Sequence, residues 1–160
     1  MALQFSEATL AKYRDLLTRY PERQAALLPT LWLAQHEFGW LSQEALAYVA
    51  DLMELPAARV AGVASFYTMY YKEPVGAYHF QVCRTLSCAL RGAPEIIACI
   101  EKRLGIQVGG TTADKKFALS EVECLASCGT APMMQLNNDE YIENLTVENT
   151  LALIEELAKK

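Results

Sequence analysis

Cys83-Arg84-Thr85-Leu86-Ser87-Cys88 and Cys124-Leu125-Ala126-Ser127-Cys128 are the two runs that decide how this chain folds. The first pair of cysteines is spaced C-x4-C and the second C-x3-C, and 35 residues lie between Cys88 and Cys124. A strand-like run precedes each pair: Tyr78-His79-Phe80-Gln81-Val82 and Phe117-Ala118-Leu119-Ser120-Glu121-Val122. Each pair therefore belongs on a loop leaving the end of a strand, where side chains can converge on one point. Four thiolates from two loops suit a two-iron cluster, because each iron takes one pair of sulfurs. Structural zinc favours tight C-x2-4-C knuckles closed by Cys or His; C-x4-C lies at the edge of that range, and neither His36 nor His79 adjoins a pair. The compact C-x2-C-x2-C run of many four-iron clusters and the C-x-x-C of redox dithiols are both absent. Spacing alone places the two-iron cluster first and leaves zinc, a four-iron cluster and unligated thiols open.

From residue 77 on, strands alternate with helices. After Gly92 the pattern predicts a helix with Pro94 in its first turn, a buried face of Ile96, Ile97, Ile100 and Leu104, and an end at Gly105. Gly109-Gly110 marks a loop before the second strand. Past Cys128, Pro132-Met133-Met134-Gln135-Leu136 reads as a short strand. Asn137-Asn138-Asp139 is turn chemistry that returns the chain as Glu140-Tyr141-Ile142 in a hairpin. Thr146 is placed to cap a last helix with Val147, Leu151 and Ile154 inward and Lys159-Lys160 at its C-terminal end. The order β-α-β-β-α is the reduced core of a thioredoxin-like fold.

Residues 1–73 read as helices instead. Ser6 caps the first, with Leu10, Tyr13, Leu17 and Tyr20 at helical spacing. The second carries Leu27, Leu31, Ala34 and Phe38 and stops at Gly39, with Pro29 predicting a late start or a kink. Ser42 caps a third with Leu46, Val49 and Leu52 inward, and Pro56 opens a fourth through Val60 and Val63. Short turns between them predict a small bundle. It runs into Phe66-Tyr67-Thr68-Met69-Tyr70-Tyr71, rings suited to packing or to a partner-binding surface. Lys72-Glu73-Pro74-Val75-Gly76 then reads as a linker, giving two domains, 1–74 and 75–160.

Of the 160 residues 52% are hydrophobic and 21% charged, ordinary globular composition. The net charge of −5 is spread evenly with no basic stripe, which argues against nucleic-acid binding. No apolar run reaches membrane-spanning length, and Met1-Ala2-Leu3-Gln4-Phe5-Ser6-Glu7 does not read as a signal peptide. The expectation is a cytoplasmic protein, where five cysteines point to metal or catalysis rather than disulfides.

The chain resembles the thioredoxin-like [2Fe–2S] subunit of NADH:quinone oxidoreductase (complex I), a family shared with NAD-linked hydrogenases and formate dehydrogenases. The resemblance runs nearly end to end, through Arg23-Gln24-Ala25-Ala26-Leu27-Leu28-Pro29, Gly62-Val63-Ala64-Ser65-Phe66-Tyr67 and the first cysteine run with Gly92. Its most specific part is Glu123-Cys124-Leu125-Ala126-Ser127-Cys128-Gly129-Thr130-Ala131-Pro132-Met133. Ala126-Ser127 departs from the Gly-Ala more usual in the family, which alters the loop's backbone freedom and its hydrogen bonding near sulfur. The resemblance implies an α/β (α+β) fold, a helical bundle followed by a thioredoxin-like ferredoxin domain. It implies one [2Fe–2S] cluster on Cys83, Cys88, Cys124 and Cys128. The chain would then serve electron transfer within a larger oxidoreductase. It would exchange single electrons with a flavoprotein partner that carries FMN, the NAD(H) site and a [4Fe–4S] cluster. It would lie peripherally on the inner face of the membrane through its complex, without inserting directly.

No Gly-rich phosphate loop follows a strand, so the chain encodes no NADH or flavin site of its own, and no NADH dehydrogenase activity is expected from it alone. Backbone N–H groups in the cysteine loops can donate to sulfur, and Arg84 and Arg91 flank the first pair as tuning charges or as solvated surface groups. Cys99 reads as a small buried hydrophobe between Ile96 and Ile100. His36 and His79 read as structural or surface residues. Other classes stay open: the equivalent subunit of a hydrogenase or formate dehydrogenase, a free-standing ferredoxin, and a zinc-stapled non-redox interaction module.

Overall fold

Strand β1, Tyr78–Cys83, is buried from its second residue to its last and sits inside the sheet that organises the C-terminal half. In the computed structural model, which describes residues 3–160, the chain divides into a unit ending at Pro74 and a unit Val75–Lys160. In the second unit β1 pairs in parallel with β2, Phe117–Val122, setting Tyr78 opposite Phe117 and Cys83 opposite Val122. On its other side β1 pairs antiparallel with β3, Met134–Leu136, which pairs antiparallel with β4, Glu140–Ile142. The order is β2-β1-β3-β4, a mixed sheet in an α+β architecture. Alternation along β1 sends Phe80 and Val82 into the apolar core and His79 and Gln81 to the opposite face. Those buried polar groups have partners: His79 Nε2 lies 2.7 Å from Ser120 Oγ, and Gln81 Nε2 donates to Asn138 Oδ1 at 2.7 Å.

This topology brings the two cysteine runs together. Because β1 and β2 are parallel, both end at one edge of the sheet. Because β2 and β3 flank β1 on opposite sides, the chain from Glu123 to Met133 must pass across the end of β1, where Cys83 stands. The Cys83 N–H donates to Met133 O at 3.2 Å and Arg84 N–H to Val122 O at 3.0 Å, pinning that crossing.

Helix α6, Ala93–Leu104, begins after Gly92 at φ +103 and ends at Gly105 at φ +67, left-handed conformations that glycine adopts without a Cβ clash. Ile96, Ile97 and Ile100 are buried against Phe80, Val82 and Leu119. Each contributes roughly 1.5–3 kcal/mol by leaving water. Helix α7, Val147–Ala158, starts at a capping box in which Thr146 Oγ1 and the Asn149 side chain each accept from the other's backbone N–H. Ile154 and Leu157 are buried in the same core, but Val147 is exposed rather than inward. Helical side chains lean toward the N-terminus, so a residue in the first position overhangs the edge of the core. One element escapes the sequence pattern altogether: α5, Leu86–Leu90, a single turn between the first cysteines and α6.

The first unit packs α1, Glu7–Leu17, α2, Leu27–Phe38, α3, Gln43–Met53, and α4, Ala57–Phe66. Ser6 and Ser42 cap α1 and α3 by accepting from Thr9 N–H and Ala45 N–H. A 3-10 turn, Arg23–Ala26, delays α2, so Pro29 falls in its first turn, where backbone N–H groups lack helical acceptors. Tyr20 falls beyond the end of α1 and is exposed, and Met53 and Ala64 take the fully buried places beside the half-buried Leu52 and Val63. The aromatic run divides by role. Tyr70 is buried and donates its hydroxyl to Leu28 O at 2.8 Å, and burial pushes its pKa up to about 12. Phe66 is 77% exposed, with Tyr67 edge-on beside it.

Candidate metal centre

Cys83 is the last residue of β1 and Cys88 lies in α5, so the strand end and the short helix deliver an inner pair, each 2% exposed. Cys124 and Cys128, on the crossing loop, are exposed, with their Sγ atoms 4.0 Å apart. The two pairs are near enough to act on each other: Cys124 feels the charge of Cys83, and Cys88 that of Cys128. Among the described residues no three His, Cys, Asp or Glu side chains close round one point tightly enough for a single ion. Two such pairs are the donor set of a binuclear core, in which each iron takes two sulfurs. Thiolate sulfur is also the soft donor that iron–sulfur chemistry needs. The four residues fit such a group.

Hydrogen bonds at the sulfurs favour the thiolate form that binds metal. Burial pushes the Cys83 thiol up, but the Thr85 hydroxyl and N–H, the Cys88 thiol and the Leu125 N–H hold it below its usual value. Burial pushes Cys88 up, its neighbour Cys83 adds to that, and the Met133 N–H works against it. The Ala126 N–H, 3.3 Å from Cys124 Sγ, is the main cause holding that thiol below its usual value, with the Thr85 hydroxyl next. Thr85 Oγ1, 3.2 Å from Cys83 Sγ, therefore touches one sulfur of each pair. Thr85 was not marked out by the cysteine spacing, although a hydroxyl two residues past a cysteine is a local signal that can be read.

Contacts between the two runs fix their separation. Arg84 forms an ion pair with Glu123 at 2.5 Å, joining the residue after Cys83 to the residue before Cys124. Both side chains are exposed, so the pair adds little to stability while restricting both loops. Arg91 Nε donates to Ala131 O at 2.7 Å, so this arginine also spans the two runs rather than standing free in solvent. Ala126 takes φ +64, a left-handed conformation that explains why glycine suits this position. The Ser127 hydroxyl donates to Glu143, as does Thr130 Oγ1 at 2.7 Å. These two bonds hold the Glu143 carboxyl below its usual range. Tyr141 Oη donates to Leu125 O at 3.0 Å. Glu143 and Tyr141 escape sequence reading because only the hairpin brings them to the loop. Cys99 lies apart from the four. It is half-buried rather than buried, and lines a cleft of about 550 Å³ with Lys102, Arg103, Val147 and Leu151. His36 is exposed and stacks on Trp32; His79 is buried.

The chain belongs to the thioredoxin-like [2Fe–2S] ferredoxin family, whose profile matches residues 13–158. It is 44% identical to a subunit of the NADH-quinone oxidoreductase of Rickettsia felis over 155 residues, covering 95% of this chain and 92% of that one. It is 43% identical to the protein of the same name from Rickettsia bellii over 156 residues, covering 96% and 93%. Among solved structures it is similar to an NAD+-reducing [NiFe]-hydrogenase in the air-oxidised state, with a TM-score of 0.74 and 25% identity. That match covers 88% of this chain but spans about a quarter (24%) of the hydrogenase polypeptide.

Proposed function

We propose that this chain is the electron-transfer subunit of an NADH:quinone oxidoreductase and holds one [2Fe–2S] cluster through Cys83, Cys88, Cys124 and Cys128. The observation that carries this reading is the convergence of those four thiols, from two loops, in a member of this family. The bound cluster would supply one-electron oxidation and reduction. The chain's own residues would set its conditions. Thr85, Leu125, Ala126 and Met133 direct N–H groups at sulfur, which favours added negative charge and raises the potential. The buried pair shields one side, while the exposed pair leaves an edge where a partner can exchange electrons.

That partner is read as a flavoprotein carrying FMN, the NADH site and a [4Fe–4S] cluster, since no phosphate loop exists here. The helical unit, with the exposed Phe66 and Tyr67, is the best candidate for its docking surface. The chain is read as cytoplasmic, peripheral on the inner face of the membrane through its complex. Among the described residues no helix is long and apolar enough to cross a membrane. The likeness to the NAD+-reducing hydrogenase favours one second reading, the equivalent subunit of such an enzyme.

The test is iron, zinc and acid-labile sulfide content of anaerobically purified protein. About two irons and two sulfides per chain are expected. Zinc near one per chain with no sulfide, even after anaerobic reconstitution, overturns the reading in favour of a stapled interaction module. Copurification from the native host then distinguishes the quinone-reducing assembly from a hydrogenase or formate dehydrogenase.

A further inference from the structure

Between β2 and β3 the regular structure is one 3-10 turn, Cys128–Thr130, yet the two exposed thiols must keep station against the buried pair. The segment Tyr141–Leu145, at and after β4, supplies the hold. Tyr141 Oη donates to Leu125 O at 3.0 Å, Asn144 N–H to Thr130 O at 2.7 Å and Leu145 N–H to Pro132 O at 2.9 Å. Glu143 is the one charged group in this strap. Its Oε1 accepts from both Ser127 and Thr130, the residue before Cys128 and the residue two after it. The turn that carries Cys128 closes on itself through Thr130 N–H and Oγ1, which donate to Ser127 O at 3.2 and 3.1 Å; the single oxygen of Glu143 ties both hydroxyls from outside and brings a full negative charge to that turn.

We infer that Glu143 is a positioning residue for the outer sulfur pair, fixing the Ser127–Thr130 turn through Oε1 while its charge lowers the reduction potential of the group the cysteines hold. The inference rests on the four-cysteine reading above. Its physical basis is twofold. A loop with few internal bonds samples other conformations unless it is tied from outside. A fixed anion beside a site that gains an electron disfavours the gain, and net charge and exposure are among the factors that set such potentials.

The two roles separate by substitution. Glu143→Gln keeps an oxygen that accepts both hydroxyls but removes the charge. Glu143→Ala removes both, at an exposed position where truncation spares the core. The measurements are the midpoint potential by redox titration followed by electron paramagnetic resonance, and the rate of iron release to a ferrous chelator. Glu143→Gln is expected to shift the potential upward and release iron at the wild-type rate. Glu143→Ala is expected to shift it upward and release iron several-fold faster, with Ser127→Ala between the two in release rate. An unchanged potential in Glu143→Gln overturns the charge role, and wild-type release from Glu143→Ala overturns the positioning role. Wild-type protein without iron and sulfide overturns the ligand assignment itself and this inference with it, so the two failures are distinguishable.

Discussion

Ala126 shows how one side chain can work against its loop while its backbone serves the site. Its left-handed conformation brings its N–H to Cys124 Sγ, but a Cβ there costs roughly 1–2 kcal/mol relative to a residue without one. Ala126→Gly is expected to raise the unfolding free energy by about 1 kcal/mol, the relief of strain exceeding the extra freedom of the unfolded chain. Urea denaturation checks this, and a loss of stability would mean the Cβ packs favourably. The cysteines make a sharper contrast. Cys99→Ser should leave the visible absorption of the holoprotein intact, because Cys99 lies apart from the other thiols, whereas Cys124→Ser should abolish or strongly alter it. Bleaching in the Cys99 variant would reassign the ligands. All four candidate ligands were legible in the sequence because spacing is a local property. Glu143 and Tyr141 were not, since only the β3–β4 hairpin carries them to the loop.

At the scale of the element, boundaries were legible wherever a side chain or a glycine makes them. Ser6, Ser42 and Thr146 accept backbone N–H groups at the starts of α1, α3 and α7, and Gly92 and Gly105 bracket α6. Thr146→Ala removes one half of a reciprocal cap. It is expected to lower stability by about 1 kcal/mol, with fraying of the first turn of α7 visible as faster amide exchange there. Equal protection in the variant would show that packing of Ile154 and Leu157 alone holds the helix start. Helix α5 was illegible for a plain reason: five residues are too few to display a 3.6-residue period. Val147 shows the converse, a residue in phase with the buried stripe whose place at the helix start leaves it exposed.

For the molecule as a whole, acid sensitivity follows from one buried imidazole. Burial pushes the pKa of His79 down from 6.5 to about 4. Above pH 6.5 both folded and unfolded forms are neutral there, and stability is undiminished. As pH falls from 6.5 toward 4 the unfolded chain takes up a proton that the folded one resists, so stability declines by up to about 3 kcal/mol before levelling off. Urea titrations across pH 4–7 on wild type and His79→Gln should differ in slope over that window. Parallel curves would mean that the imidazole is protonated in both states or neutral in both. The alternation of strands and helices, and with it the fold class, was readable from hydrophobic period and turn residues. The way the crossing loop passes over Cys83 was not, because strand order depends on pairings between distant residues.

The parallel pairing of β1 and β2 also determines what kind of variation the chain tolerates. Both cysteine runs leave the same end of the sheet and are tied across it by Arg84–Glu123 and Arg91–Ala131, so their separation is set in space and not by the number of residues between them. One residue inserted within either run changes the direction in which a thiol points and breaks the set. A search signature for such proteins should therefore hold the gaps inside each pair rigid and let the 35-residue interval float. On the proposed ligand assignment, a chain with a longer or shorter interval would present its four thiols in the same way.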